Sequence, residues 1–133
     1  MTVKSRKFQV LRSAHTREKA EDYVEAIQAL IAKHGEARLT DLAAYFGVTT
    51  VTAHKVLARL QREKLITSQP YRAIFLTNKG EKLAEASQKR HNVVYRFLRE
   101  LGVPEEIAQI DAEGIEHHVS PETIACMKQH LKK

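Results

Sequence analysis

The stretch LTDLAAYFGVTTVTAHKVLARLQR, residues 39–62, decides the fold. Leu42, Ala43 and Phe46 fall on one face of a short helix over Leu39 to Phe46. Gly47-Val48-Thr49-Thr50 breaks that pattern, and either threonine can cap a following helix. Ala53, Val56, Leu57 and Leu60 then recur on one face of a helix running to about Lys64. Leu65 to Ser68 and Ala73 to Leu76 are short β-type runs, separated by Gln69-Pro70-Tyr71-Arg72, the length of a four-residue hairpin loop. Helix, glycine-containing turn, helix and hairpin in that order predict a winged helix-turn-helix.

Outward from this motif the chain is helical. Ala20, Val24, Ile27 and Ile31 predict an amphipathic helix over about 18–34, ended by Gly35. Thr77 caps a long helix from Lys79 to about Leu101, with Leu83, Val94, Phe97, Leu98 and Leu101 inward. Pro104 opens another helix at a first-turn position, reaching about His118. Ser120-Pro121 starts a final helix carrying Ile124, Met127 and Leu131. The fold class expected is mainly α: a basic arm over 1–19, a winged-helix domain over 20–77 and a helical domain over 78–133. Ile107, Ile110, Ile124, Met127 and Leu131 have little chain left to cover them, so the last domain is expected to dimerise.

The chain has 133 residues, 43 % of them hydrophobic, enough for a core, so wholesale disorder is excluded. A single cysteine, Cys126, excludes an internal disulfide framework and any multi-cysteine zinc site. No apolar run approaches the ~20 residues of a membrane span. The basic start lacks the apolar stretch of a secretory signal, and the expectation is a cytoplasmic protein with no membrane partner. The net charge of +6 is unevenly placed. Residues 1–19 carry six basic groups against Glu18 alone, residues 20–98 are net +4, and residues 99–133 are net −3. Such a basic front favours a polyanionic partner. The arm, with no apolar anchor, is expected to be mobile and to add non-specific DNA affinity.

The third helix supplies the candidate nucleic-acid face. Val51, His54, Lys55, Ala58 and Arg62 lie opposite its core stripe. Thr50 and Lys55 can donate to base edges or phosphates, and Val51 can pack on a thymine methyl. Arg59, Arg62, Lys64 and the wing's Arg72 would hold phosphates. Winged helices also serve as protein-interaction modules; the charge balance favours double-stranded DNA.

The acidic end holds a second constellation, Asp111-Ala-Glu113-Gly-Ile-Glu116-His117-His118. On a helix Glu113, Glu116 and His117 share one face. Two carboxylates beside an imidazole repel one another unless a cation or proton sits between them. Asp22 and Glu25 repeat the i, i+3 carboxylate pair on the first helix, and His91 lies beside the Val94 and Leu98 face. Four carboxylates and two imidazoles without a thiolate suit an octahedral metal of the manganese type. Each group alone also reads blandly, as a solvated helix face, as charges complementing a helix dipole, or as a half-buried histidine. Spacing does not show that they meet. Gly114 costs ~1 kcal/mol against Ala inside a helix, which suggests a close backbone approach there.

From about Glu21 to Ser120 the sequence resembles the manganese transport regulators (MntR type) of the diphtheria-toxin-repressor family of metal-dependent repressors. Glu21-Asp-Tyr-Val-Glu25, Arg90-His91, Asp111 to His118 and the segment Tyr71 to Gly80 carry the likeness. The resemblance implies that Asp22, Glu25, His91, Glu113, Glu116 and His117 ligate two Mn²⁺ per subunit. It also implies that a backbone carbonyl of the acidic helix can ligate, which would fit crowding at Gly114. Iron-responsive members carry a cysteine in place of Glu113 and a methionine in place of Asp22, so both positions take the manganese form. The third domain of the longer iron-type members is not expected, and the arm before Lys19 lies outside the match.

The implied function is a manganese-responsive repressor of manganese uptake genes, not an enzyme. It would act as a homodimer presenting two recognition helices to a pseudo-palindromic operator. Mn²⁺ would tie helix one to the dimerisation domain and hold the DNA-binding conformation. The alternatives are an Fe²⁺-responsive repressor of the same architecture, a metal-independent winged-helix regulator and, from another class, a binuclear metallohydrolase. The last needs an open coordination position and a substrate pocket, for which the sequence offers no further motif.

Overall fold

The computed structural model describes residues 2–68 and 73–132. Six helices and a two-stranded sheet follow in the order α1 (Val3–His34), α2 (Leu39–Phe46), α3 (Thr50–Arg62), β1 (Ile66–Thr67), β2 (Phe75–Leu76), α4 (Asn78–Glu100), α5 (Glu105–Ile115) and α6 (Pro121–Leu131). The chain forms two compact units, one of Lys19–Glu85 and one of Met1–Glu18 with Ala86–Lys133. The mainly α winged-helix class expected from the sequence is what the chain adopts. Among the described residues no helix is long and apolar enough to cross a membrane.

In the Lys19–Glu85 unit, the α1 stripe of Val24 and Ile27 packs in one core with Leu42 of α2, Leu60 of α3 and Ile74. Ala37, Ala53 and Ala84 are buried in it too, small side chains that let backbones approach. Tyr23 stacks on Phe46, ring centroids 4.3 Å apart, and burial pushes its hydroxyl pKa up. The α2–α3 turn depends on Gly47, whose φ of 64° lets its N–H reach the carbonyls of Ala43 and Ala44. Thr49, not Thr50, is the cap of α3: its hydroxyl accepts from the Thr52 N–H at 3.1 Å. Lys64 takes a left-handed φ of 62°, and its carbonyl accepts from the Thr77 hydroxyl at 2.7 Å.

The hairpin is antiparallel, pairing Ile66 with Leu76 and Thr67 with Phe75. An isolated bridge from Ala37 to Ile74 ties it to the segment before α2. The loop 69–72 lies outside the described residues. Gly80, in the first turn of α4, is buried where an added Cβ would run into the Leu65 carbonyl. A backbone clash of that kind costs about 1–3 kcal/mol, against about 1 kcal/mol gained in helix propensity. Gly80→Ala is therefore expected to lower the urea midpoint with an unchanged m-value. An unmoved midpoint would show that α4 can shift away from Leu65 freely.

In the other unit, Val93 and Val94 of α4, Ala112 of α5 and Ile124 of α6 form the core, lined by Leu98, Ile115, Met127 and Leu131. Three expectations change here. Helix α1 begins at Val3 instead of near residue 18, so the basic segment is the helix's own first half. Its buried Ala14 anchors that half in a stretch without a large apolar stripe. Ile124 is buried and Met127 and Leu131 are half-buried in this unit's own core, whereas Ile107 and Ile110 are the apolar residues left open. Helix α5 stops at Ile115, not at His118.

Candidate metal centre

The end of α5 builds the site. Beyond Ile115 the chain continues as a tighter turn, the N–H groups of His117 and His118 reaching only to the carbonyls of Gly114 and Ile115. That tightening draws Glu116 and His117 inward and sends His118 another way. Glu116 has no solvent exposure and His117 only 4 %. The Nε of Arg90 donates to the Glu116 carbonyl at 3.3 Å, fixing the turn against α4. Gly114 is not crowded, since a Cβ there would meet open space. The inference of a close backbone approach at Gly114 is therefore wrong.

His91 of α4 faces this turn. Its Nδ1 stands 3.4 Å from Glu116 Oε2 and 3.9 Å from Glu113 Oε2, and Glu116 Oε1 lies 3.4 Å from His117 Nε2. Among the described residues the buried Nδ1 makes no hydrogen bond. These separations exceed a direct N–H···O bond of about 2.7–3.2 Å. They approximate the spacing of ligands sharing a divalent ion at about 2.0–2.2 Å. A carboxylate withdrawn from water costs several kcal/mol unless a positive charge attends it. The donor set of two carboxylates and two imidazoles therefore fits a divalent cation. Cys126, exposed on α6, does not contribute a thiolate.

His91 Nε2 lies 3.3 Å from Gln109 Oε1. With Nε2–H donating to that amide oxygen, the Nδ1 lone pair points at the carboxylates, the tautomer a metal ligand needs. Sequence reasoning missed Gln109, because nothing in spacing places α5 beside α4 at that register. Tyr95 lies parallel to the His91 ring, centroids 6.5 Å apart.

Asp22 and Glu25 belong to the Lys19–Glu85 unit and are both half-buried on α1. Glu25 Oε1 is out of contact with solvent. Neighbouring Glu21, only 4 % exposed, is a buried acid that the sequence did not offer as a ligand.

On α3, Ala53, Leu57 and Leu60 are buried, and Thr50, Val51, His54, Lys55 and Arg62 are exposed. Arg59 is half-buried, its Nε 3.1 Å from Glu63 Oε1, so this guanidinium is already engaged by a carboxylate. Arg72 lies outside the described residues.

Residues 15–74 match the family described as iron dependent repressor, N-terminal DNA binding domain, and residues 77–133 match iron dependent repressor, metal binding and dimerisation domain. The transcriptional regulator MntR of Escherichia coli O6:H1 is 50 % identical over 126 residues, covering 95 % of this chain and 81 % of that protein. Its counterpart in Salmonella typhimurium is 52 % identical over 117 residues, 88 % of this chain and 74 % of the relative. A solved manganese-dependent transcriptional repressor in complex with manganese superposes with a TM-score of 0.75 at 29 % identity, over 85 % of this chain and 52 % of the other. The chain thus spans about half the length of that solved structure.

Proposed function

This chain belongs to the iron-dependent-repressor family of DNA-binding transcriptional regulators, and on that footing we propose that it is a manganese-responsive repressor acting as a homodimer. The observation that carries the reading is the wholly buried Glu116 between His91 and His117. Two carboxylates and two imidazoles gathered there suit a cation, and a set without thiolate favours a hard one of the manganese type. The relatives named MntR and the solved manganese-dependent repressor support that choice.

We propose that Asp22, Glu25, His91, Glu113, Glu116 and His117 would hold two Mn²⁺ per subunit. Bound Mn²⁺ would supply the positive charge that offsets the mutual repulsion of these carboxylates. Gln109 holds the His91 tautomer, and Arg90 holds the turn that presents Glu116 and His117. Asp22 and Glu25 stand on the helix that gives Val24 and Ile27 to the winged-helix core. A restraint on the two carboxylates is therefore felt by the domain that carries α3. Such a restraint shifts DNA affinity only as far as metal affinity differs between the two conformations.

The recognition surface is assigned to Thr50, Val51, His54, Lys55 and Arg62, with Arg59 released from Glu63 to a phosphate and Arg72 on the wing. A two-fold dimer would present two such surfaces to a pseudo-palindrome with half-sites about one helical turn apart. Operator titration with and without Mn²⁺ tests the whole reading: affinity should rise with Mn²⁺ and fall with chelator. Equal affinity in both makes the chain a metal-independent regulator. In Mn²⁺, Lys55→Ala should weaken binding and flatten the slope of log K against log salt by about 1 per lost phosphate contact. An unchanged slope in a folded variant would move the DNA surface elsewhere.

A further inference from the structure

We infer that His15, Glu18 and His118 form a separate site for a single divalent transition ion of the zinc class. His15 and Glu18 lie one turn apart on α1, and His118 follows α5 in the turn that also carries His117. All three belong to the same unit, and one ligand atom from each lies within 4.8 Å of the other two. Glu18 Oε2 stands 3.4 Å from His118 Nε2 and 3.7 Å from His15 Nδ1. The imidazole rings meet edge to face at 4.8 Å.

These separations are longer than direct hydrogen bonds. They are close to the ~3.3–3.4 Å edge of a tetrahedron whose ligands sit about 2.0–2.1 Å from its centre. Glu18 and His118 are half-buried and His15 is exposed, which leaves the fourth position open to water. Two imidazoles and one carboxylate make a softer donor set than the acidic cluster around Glu116. By the Irving–Williams order it takes Zn²⁺ well ahead of Mn²⁺. A cation held here pins the turn bearing His117 to the first half of α1. The inference is independent of the manganese reading, since none of the three residues is a ligand in it.

The test is a Zn²⁺ titration of the whole chain beside His15→Ala and Glu18→Gln, two positions where side-chain loss leaves no core void. Each variant should take up one Zn²⁺ fewer per subunit, or bind that ion more weakly than the ~10–100-fold loss typical of an outer-shell change. Mn²⁺ uptake and the Mn²⁺ response of DNA binding should not move. Glu116→Gln should keep this Zn²⁺, and zinc-edge X-ray absorption in that background should show two histidine ligands that His15→Ala reduces to one. Unaltered Zn²⁺ stoichiometry and affinity in both α1 variants overturns the inference, as does loss of all Zn²⁺ from Glu116→Gln. A parent chain indifferent to Mn²⁺ defeats the manganese reading instead and leaves these comparisons intact.

Discussion

Glu116→Gln is expected to remove the Mn²⁺ response of operator binding from a chain that still folds and dimerises. Both oxygens of this fully buried carboxylate face an imidazole, Oε2 toward His91 and Oε1 toward His117. Gln keeps the volume but puts an amide N–H₂ where one of two anionic donors stood. If Glu116 bridges the two ions, the change damages both sites, whereas loss of a terminal ligand would spare one. Without metal the variant should still fold, because Gln keeps the volume and the helix propensity. With metal, the coupling between ion and DNA, about 5–150-fold for a typical allosteric pair, should collapse toward one. A solvated Glu→Gln change is worth within ±0.5 kcal/mol and would leave DNA affinity alone. Calorimetric Mn²⁺ titration of both proteins, then operator binding with and without metal, separates the two. A variant that still takes up two ions and responds normally would end the binuclear reading.

The winged helix was legible because its signals are local. Helix α2 runs from Leu39 to Phe46 as its pattern implies, Thr77 caps α4 through the Gly80 N–H, and Ser120 caps α6. Helix ends set by neighbours were less legible. Taken over its 32 residues α1 has almost no amphipathic stripe, so its start at Val3, where charge suggested an arm, left little mark on the pattern. The pair His15 and Glu18 already showed an i, i+3 spacing, but with that segment read as mobile nothing linked it to His118. The end of α5 was misread for a subtler reason. Glu113, Glu116 and His117 share a face on an ideal helix, yet the chain tightens after Ile115. His117 is buried in the turn instead of continuing the helix, and His118 is sent toward Glu18. Of the acidic constellation, the approach of His91, Glu113, Glu116 and His117 is a matter of tertiary packing between α4 and the α5 turn. No periodicity reports that distance.

Ile110→Glu is expected to leave a folded monomer with little operator affinity. Ile107 and Ile110 lie three residues apart on α5 and are 48 % and 64 % exposed, and Leu101 just beyond α4 is 62 % exposed. The core of this unit is complete without them, so their open side chains contribute little to folding, and the match to a dimerisation domain gives them a use between copies. A symmetric interface contains each residue twice. The substitution then removes two buried isoleucines, about 1.5–3 kcal/mol each, and sets two unpaired carboxylates in an apolar seam. Even about 4 kcal/mol in total raises the dimer dissociation constant roughly 10³-fold. Sedimentation should show the monomer at concentrations where the parent is a dimer, while thermal unfolding and Zn²⁺ uptake by the isolated subunit persist. Operator binding should fall with it, because one subunit reaches a single half-site and loses the second contact's effective concentration. If the variant still sediments as a dimer, the α5 face is not the seam, and the copies must meet through another apolar patch, of which Phe8 and Leu11 on α1 are the next exposed pair.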